Sequence, residues 1–503
     1  MKKKSLWIDK AGTALSLPTF KGVEEADVVI IGAGITGLTS AYLLAKAGKK
    51  VMVLEALSIG AGTTGNSSCH LTTDIDEEYR NIYKSFDKTT IRLVAESRLK
   101  AIGLIEQISK EHSIECDFRR LPGYLYTEIP ENVQDIKEEA DYALEAGLSV
   151  SLVDDVPLPF KAVKALRFDG QAEFNVQKYL HGLAKVCQSL GCRIFENSRV
   201  VNLEEKDDYV LVNTRNGQVK TPIAIEATHL PIFFNVLQAL SSPYRSYMIV
   251  AKINGEYPDG LFWDDVDPYH YTRTYRTQEG SFLVVGGADH KTGHETNTEI
   301  NYERLEQYIR SRYDVLSIEY KWSSQYYKPS DGLPYIGRSP FSRRVLVGTG
   351  YSGDGLVYGT VAAIIHRDII NNVENPWLKI YDATRFTPAA SVFDFIKENT
   401  DVIKHFIKDR LEIVSMDPDE LRPGEGRIIK INGQKYAVSK DENNEVNIVN
   451  AVCPHMGCIV QWNSSEKSWD CPCHGSRFEN NGNVITGPAV SNLAVQKPEK
   501  KLG

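Results

Sequence analysis

Near its C-terminal end the chain carries two short boxes rich in metal-binding side chains, Cys453-Pro454-His455-Met456-Gly457-Cys458 and Cys471-Pro472-Cys473-His474-Gly475-Ser476. Fifteen residues lie between His455 and Cys471. A Cys-x-His pair and a Cys-x-x-His pair can put two thiolates, Cys453 and Cys471, on one iron of a [2Fe-2S] cluster and two neutral imidazoles, His455 and His474, on the other. Cysteine and histidine also suit a structural zinc ion, so the donor types alone leave that metal open. Zinc ribbons, however, need neither the paired Gly457 and Gly475 nor the surplus Cys458 and Cys473.

The elements around the boxes are strand-rich. Residues 427–431 and 436–438 flank an Asn432-Gly433 hairpin turn, and 446–452 run directly into Cys453. With its two boxes, this segment resembles the Rieske proteins, specifically the high-potential kind of the quinol-oxidising complexes. The resemblance implies a small all-β domain over 412–503 and a disulfide between Cys458 and Cys473. It also implies a shielding proline loop at Gly487-Pro488-Ala489. Ser476 is placed to donate a hydrogen bond to a cluster sulfide, which raises the reduction potential. Phe478 stands where those proteins have a tyrosine, and loss of that hydroxyl lowers it. The expected potential therefore falls within the Rieske span of about −150 to +300 mV, below its top.

A second chemistry sits at the other end. Strand 27–31 runs into Gly32-Ala33-Gly34-Ile35-Thr36-Gly37, then a helical pattern closed by Gly48, then strand 51–54 ending on Glu55. Glycines at these places let the backbone approach a pyrophosphate at a helix start, and the acid receives a ribose hydroxyl. The motif alone does not separate FAD from NAD. A small, hydroxyl-rich loop follows at 61–68, with Gly62, Thr63 and Thr64. Some three hundred residues later, strand 345–347 leads through Gly348-Thr349-Gly350-Tyr351-Ser352-Gly353-Asp354-Gly355-Leu356 into a helix, and such a turn offers backbone N–H groups to negative charge. These motifs together resemble the D-amino-acid oxidase and glycine oxidase superfamily over about 26–375. That resemblance implies FAD in an α/β Rossmann-like domain with an antiparallel substrate-binding sheet. It adds Val201, Gly350, Gly353, Gly355 and Leu356 to the cofactor contacts and puts Tyr351 and Asp354 near the flavin's reactive side. Some relatives attach the flavin through a histidine in the loop after the second strand; the equivalent position here is Asn66, with Cys69 and His70 close by.

Between 241 and 289 the composition turns aromatic, with Tyr244, Tyr247, Trp263, Tyr269, Tyr271 and Tyr275 among His270, Arg273 and Arg276. Strand alternation puts the tyrosines at 269, 271 and 275 on one face with Arg273. Arg273 can then bind a substrate carboxylate bidentately, flanked by Tyr247 and Tyr271. The competing reading is a sheet face on which a cation simply stacks on tyrosine.

The 503 residues suffice for two or three domains. A net charge of −8 without a basic face excludes nucleic acid as a partner. The longest uncharged run, 28–45, is broken by glycines, so no transmembrane segment is expected. The remaining cysteines follow no disulfide framework, which fits the cytoplasm. The predicted order is a leader over 1–25, a flavin domain over 26–375, a linker with an amphipathic docking helix over 376–411, and the cluster domain. The expected reaction is oxidation of the C–N bond of an amine or amino acid by FAD. Electrons then leave one at a time through the [2Fe-2S] cluster to an external protein or quinone acceptor. Electron flow from cluster to flavin in a reductase, or a redox sensor without turnover, are the alternatives.

Overall fold

The computed structural model describes residues 1–385 and 418–496 apart from 14, 279 and 432. The helix expected over 391–411 and Asn432 of the expected hairpin lie outside the described residues. Strands Val28–Ile31 (β1) and Val51–Leu54 (β2) are apolar without alternation, as strands covered on both faces must be, and every residue in both is buried. They pair in parallel, Ile30 opposite Val53. Their six-stranded sheet has the order Tyr335–Arg338, Val345–Thr349, Ile223–Glu226, β1, β2, Arg193–Phe195. Helix Ile35–Lys46 (α1) joins β1 to β2 and is buried all round except for Lys46. It is packed by β1 and β2, by helix Val176–Ser189 and by helix Gly355–Ile370 (α2), so it needs no polar face.

A nine-stranded sheet forms the opposite wall of this domain. Its antiparallel run orders Asp314–Pro329 (β6), Ser241–Asn254 (β3), Gly280–Lys291 (β5) and Tyr271–Thr277 (β4) side by side. β3 and β6 pair from Ser241 opposite Pro329 to Asn254 opposite Asp314, absorbing two bulges. The described residues of the segment 1–25 pack into the same domain. Leu6 and Trp7 in helix Leu6–Lys10 are fully buried, Trp7 Nε1 donates to the Ser67 carbonyl at 2.7 Å, and Gly22–Glu25 pairs in parallel with Gly217–Thr221.

The C-terminal domain is all β. Gly426–Ile431, Gln434–Lys440 and Val446–Asn450 form an antiparallel sheet, and Gln461–Asn463, Ser468–Asp470, Arg477–Glu479 and Val484–Thr486 form a second. Its core holds Trp469 and Phe478 together with Cys453, Cys458, Cys471 and Cys473.

Candidate flavin and iron–sulfur sites

A cavity of about 1560 Å3 lies between the two large sheets. Gly32, Gly34 and Glu55 line one part of it, with Gly62, Thr63 and Thr64 of the following loop. Gly32 has φ +105°, and a Cβ there would stand 2.5 Å from the Ala227 carbonyl oxygen. One on Gly34 would meet Thr64 Oγ1 at 2.8 Å. Gly37 lies behind the wall, where a Cβ would overlap the Gly32 carbonyl, so its glycine serves the close approach of α1 to the turn. Glu55 closes β2, accepting from the backbone N–H groups of Ala33 at 2.7 Å and Leu57 at 2.8 Å; burial pushes its carboxyl up.

Gly353, Gly355, Leu356 and Tyr351 line the cavity from the other side. α1 and α2 both start there without a side-chain cap of their own, so two positive helix ends face one space. Glycines that admit no Cβ, two helix starts aimed at one space and a carboxylate at the strand end fit a bound dinucleotide. The structure puts Val201 and Gly350 off the wall: Val200 lines the cavity in place of Val201, and Gly350, at φ +70°, turns the chain beside Pro329. Asp354 faces the cavity but is tied 2.7 Å from buried Arg98, and burial raises its carboxyl to about 6 against that cation. Asn66 Nδ2 donates to the Gly62 carbonyl at 2.9 Å; Cys69 is buried off the wall, and His70 lies on it.

The tyrosine-rich end differs from the expected carboxylate clamp. Tyr271 lines the cavity; Arg273, on the same strand, does not, and it is 0% exposed. Its Nη1 donates to the Cys69 carbonyl at 2.6 Å, its Nε lies 3.3 Å from Glu173, and its guanidinium stacks 4.7 Å over Trp7. The buried N-terminal helix therefore occupies the space beside Arg273 where a substrate was expected. Tyr247 faces the other side of β3, its hydroxyl 2.8 Å from His290 Nε2, while Tyr244, Ser246 and Met248 line the cavity. Residues not singled out as site residues complete this end: Asp76, Tyr269, Asp289 and Tyr326. Tyr326 donates to Asp289 Oδ2 at 2.9 Å, and Tyr269 to Asp76 Oδ1 at 3.1 Å. The available signal was weak: an acid closing an apolar strand after Gly286-Gly287, and the acid-rich run 74–78. His70, pushed down to about 3 by burial and by the Arg273 charge, lies edge-on to Tyr271 at 5.7 Å.

The two cysteine boxes fold into matching loops. Cys453 N–H donates to the Cys458 carbonyl at 2.8 Å and Gly457 N–H to the Cys453 carbonyl at 3.0 Å; Cys471, Ser476 and Gly475 repeat both bonds at the same lengths. Gly457 and Gly475 sit at φ +79° and +71°, the left-handed conformation each turn requires. The loops bring the Cys453 and Cys471 thiols into hydrogen-bond contact and the His455 and His474 rings to 5.0 Å, nearly perpendicular. Each ring keeps one buried nitrogen without a hydrogen-bond partner, Nε2 of His455 and Nδ1 of His474. Two thiols and two orphaned imidazole nitrogens fit a mixed-ligand [2Fe-2S] cluster. Cys458 and Cys473 are joined by a disulfide, so neither supplies a thiolate. Ser476, fully buried, accepts from Ala489 N–H at 3.0 Å and so ties the Gly487-Pro488-Ala489 loop to the cluster loop.

The second loop is pressed against the larger domain. Gln325 Nε2 donates to the Gly475 carbonyl at 2.9 Å and Tyr327 Oη to the His474 carbonyl at 3.1 Å. Tyr327 in turn stacks edge-on to His229 at 4.6 Å, whose Nδ1 lies 3.2 Å from Thr63 Oγ1 on the cavity wall. Burial lowers His229 to about 4, so the ring is neutral. Arg245 pairs with Glu466 at 2.6 Å, and Glu466 also reaches Arg477.

Comparison with known proteins agrees with this geometry. Residues 27–368 match the FAD dependent oxidoreductase family, and residues 412–497 match the Rieske [2Fe-2S] domain. YhfW of Bacillus subtilis (strain 168), named as a Rieske 2Fe-2S iron-sulfur protein, is 34% identical over 488 residues, covering 96% of both chains. The fold is similar to that of glycine oxidase from Geobacillus kaustophilus (TM-score 0.61, 15% identity, 72% of this chain and 99% of that one). It is also similar to that of L-amino acid deaminase from Proteus myxofaciens (TM-score 0.61, 14% identity, 77% and 98%). The chain belongs to the FAD dependent oxidoreductase family and carries a Rieske [2Fe-2S] domain at its C-terminal end.

Proposed function

We propose that the protein oxidises the C–N bond of an amine or amino acid and passes the electrons through its Rieske domain to an external acceptor, a protein or a quinone. When bound, FAD supplies a two-electron acceptor and the cluster a one-electron carrier. Oxidation of an amine to an imine releases two electrons and two protons, and water then hydrolyses the imine. Cys453, Cys471, His455 and His474 would hold the cluster. Gly32, Gly34, Glu55, Thr63, Thr64 and the start of α2 would hold the flavin. The chain's own work is to orient the substrate between the tyrosines, keep bulk water out of the cavity and offer positive helix ends to negative charge.

The observation that carries this reading is the asymmetry of the two cluster loops. The 471–476 loop is bonded to strand β6 through Gln325, which lines the cavity, and Tyr327, which lies behind the wall, whereas the 453–458 loop keeps Pro454 and Met456 exposed, Met456 at 50%. One loop thus faces the electron source and the other an incoming acceptor. No helix among the described residues is long and apolar enough to cross a membrane. The unpaired, buried Cys69, Cys116, Cys187 and Cys192 favour the cytoplasm. The test is an anaerobic spectral screen of the holoenzyme against amines and amino acids, with His474→Ala in parallel. Substrate should bleach the flavin in both proteins and reduce the cluster only in the wild type. If no C–N substrate bleaches the flavin, the reading fails.

A further inference from the structure

We propose that the tyrosine-lined end of the cavity is an ammonium site that receives the charged nitrogen of an amine, with Asp289 as counter-charge and Tyr244, Tyr269, Tyr271 and Tyr326 as walls. Among the described residues no arginine lines this end to meet a carboxylate beside that nitrogen. The proposal rests on reading the cavity as the place of amine oxidation and narrows the substrate to cationic amines that lack an α-carboxylate.

Two carboxylates are bonded by the tyrosines of this end, Asp76 and Asp289, and of these only Asp289 keeps an oxygen without a partner; Asp265 also lines the cavity with both oxygens buried and unpartnered. Asp76 has both oxygens engaged, Oδ1 by Tyr269 Oη at 3.1 Å and Oδ2 by the Gly353 N–H. Asp289 receives Tyr326 Oη on Oδ2 at 2.9 Å, while its Oδ1 is buried with no partner in hydrogen-bonding geometry. A shielded carboxylate oxygen is costly unless a donor or cation meets it. The rings around it suit a cation, since their faces are electron-rich: Tyr244 and Tyr326 stack at 5.7 Å, and Tyr269 and Tyr271 tilt together at 5.9 Å.

Among the described residues no arginine offers a carboxylate an equivalent at this end. Arg273 is sealed behind the wall by Trp7, Glu173 and the Cys69 carbonyl. The arginines that do line the cavity, Arg199 and Arg477, interact with Glu55 and Glu466 at other parts of it. Lys328, on this part of the wall, is paired with Glu77 at 3.1 Å. Asp76 and Asp289 would moreover repel an anion.

The test titrates the holoenzyme with tetramethylammonium chloride and, separately, sodium acetate at matched ionic strength, reading perturbation of the flavin absorption band and the shift in Tm. Tetramethylammonium should saturate both signals and acetate neither. Asp289→Asn should weaken the cation about tenfold or more, and Tyr326→Phe by a smaller factor, with flavin content and cluster spectrum unchanged. Saturable acetate binding without tetramethylammonium binding overturns the proposal, as do variants that bind the cation like the wild type. Should Asp289→Asn not fold, the wild-type contrast and Tyr326→Phe decide. If tetramethylammonium binds through Asp289 but no amine bleaches the flavin, the reaction is misread and the site stands. If amines and amino acids bleach it equally in wild type and Asp289→Asn, the reaction stands and the site falls.

Discussion

Asp289 shows how environment gives one side chain a function that its type alone does not. Burial pushes its carboxyl up to about 7 against the nearby Ser246 and Tyr326 hydroxyls; the Asp76 charge adds to the rise and His270 opposes it. Tyr269, Tyr271 and Tyr326 are themselves raised by burial and stay protonated. Below about 7 the Asp289 carboxyl is neutral and attracts a cation weakly; above it the group is an anion. Tetramethylammonium affinity should therefore rise as pH passes from about 6 to about 8. A flat or falling profile would place the counter-charge elsewhere. Tyr327 makes a different contribution, one hydroxyl bonding the His474 carbonyl from across the domain boundary. Tyr327→Phe should leave flavin bleaching by substrate intact and slow the later appearance of the reduced-cluster EPR signal. The two boxes that bring Cys453, His455, Cys471 and His474 together were readable from sequence because their spacing is local. Arg273 was misleading because the groups that seal it, Trp7, Cys69 and Glu173, lie far away along the chain.

At the level of elements, the two cluster loops share one turn yet have unequal surroundings. A Cβ on Gly457 would meet nothing within 4 Å, whereas one on Gly475 would press on Gln325 Nε2 at 2.6 Å, Pro243 Cβ and Tyr327 Oη at 2.9 Å. Gly457→Ala should thus cost only the left-handed backbone strain, about 1–2 kcal/mol. Gly475→Ala adds overpacking of about 1–3 kcal/mol and disturbs the domain contact. Thermal unfolding of the two variants measures the difference, and equal losses would argue against a tightly docked second loop. The same contrast explains what was legible in the strands. The alternation of β4 identified a shared face for Tyr271, Arg273 and Tyr275, but position along the strand decides which of them meets the cavity. That depends on the helix Leu6–Lys10, which lies in the segment expected to be a leader. The glycine turns before α1 and α2 were legible because backbone approach demands glycine wherever such a turn occurs.

Across the whole molecule, charge holds the Rieske domain to the flavin domain. Against the cost of burial, Arg245 and Arg477 keep the Glu466 carboxyl below its usual range, and Asp470 lies 3.1 Å from Arg477. Glu466→Gln would leave Arg245, 1% exposed, without its counter-charge. A loss of about 3–5 kcal/mol is expected, seen in denaturant titration as a cluster domain that separates before the flavin domain unfolds. A single unshifted transition would contradict that role. None of this docking could be read in advance, because Arg245, Gln325, Tyr327 and Glu466 become neighbours only through long-range packing. The central claim is that electrons leave substrate through the flavin cavity and exit by way of the cluster. Anaerobic rapid mixing of the holoenzyme with an amine that it oxidises tests this directly, following flavin absorbance and cluster EPR in one time course. The flavin should bleach first, and the reduced-cluster signal should then grow at its expense. Persistent flavin bleaching with an oxidised cluster, or a cluster reduced before the flavin, would contradict the account.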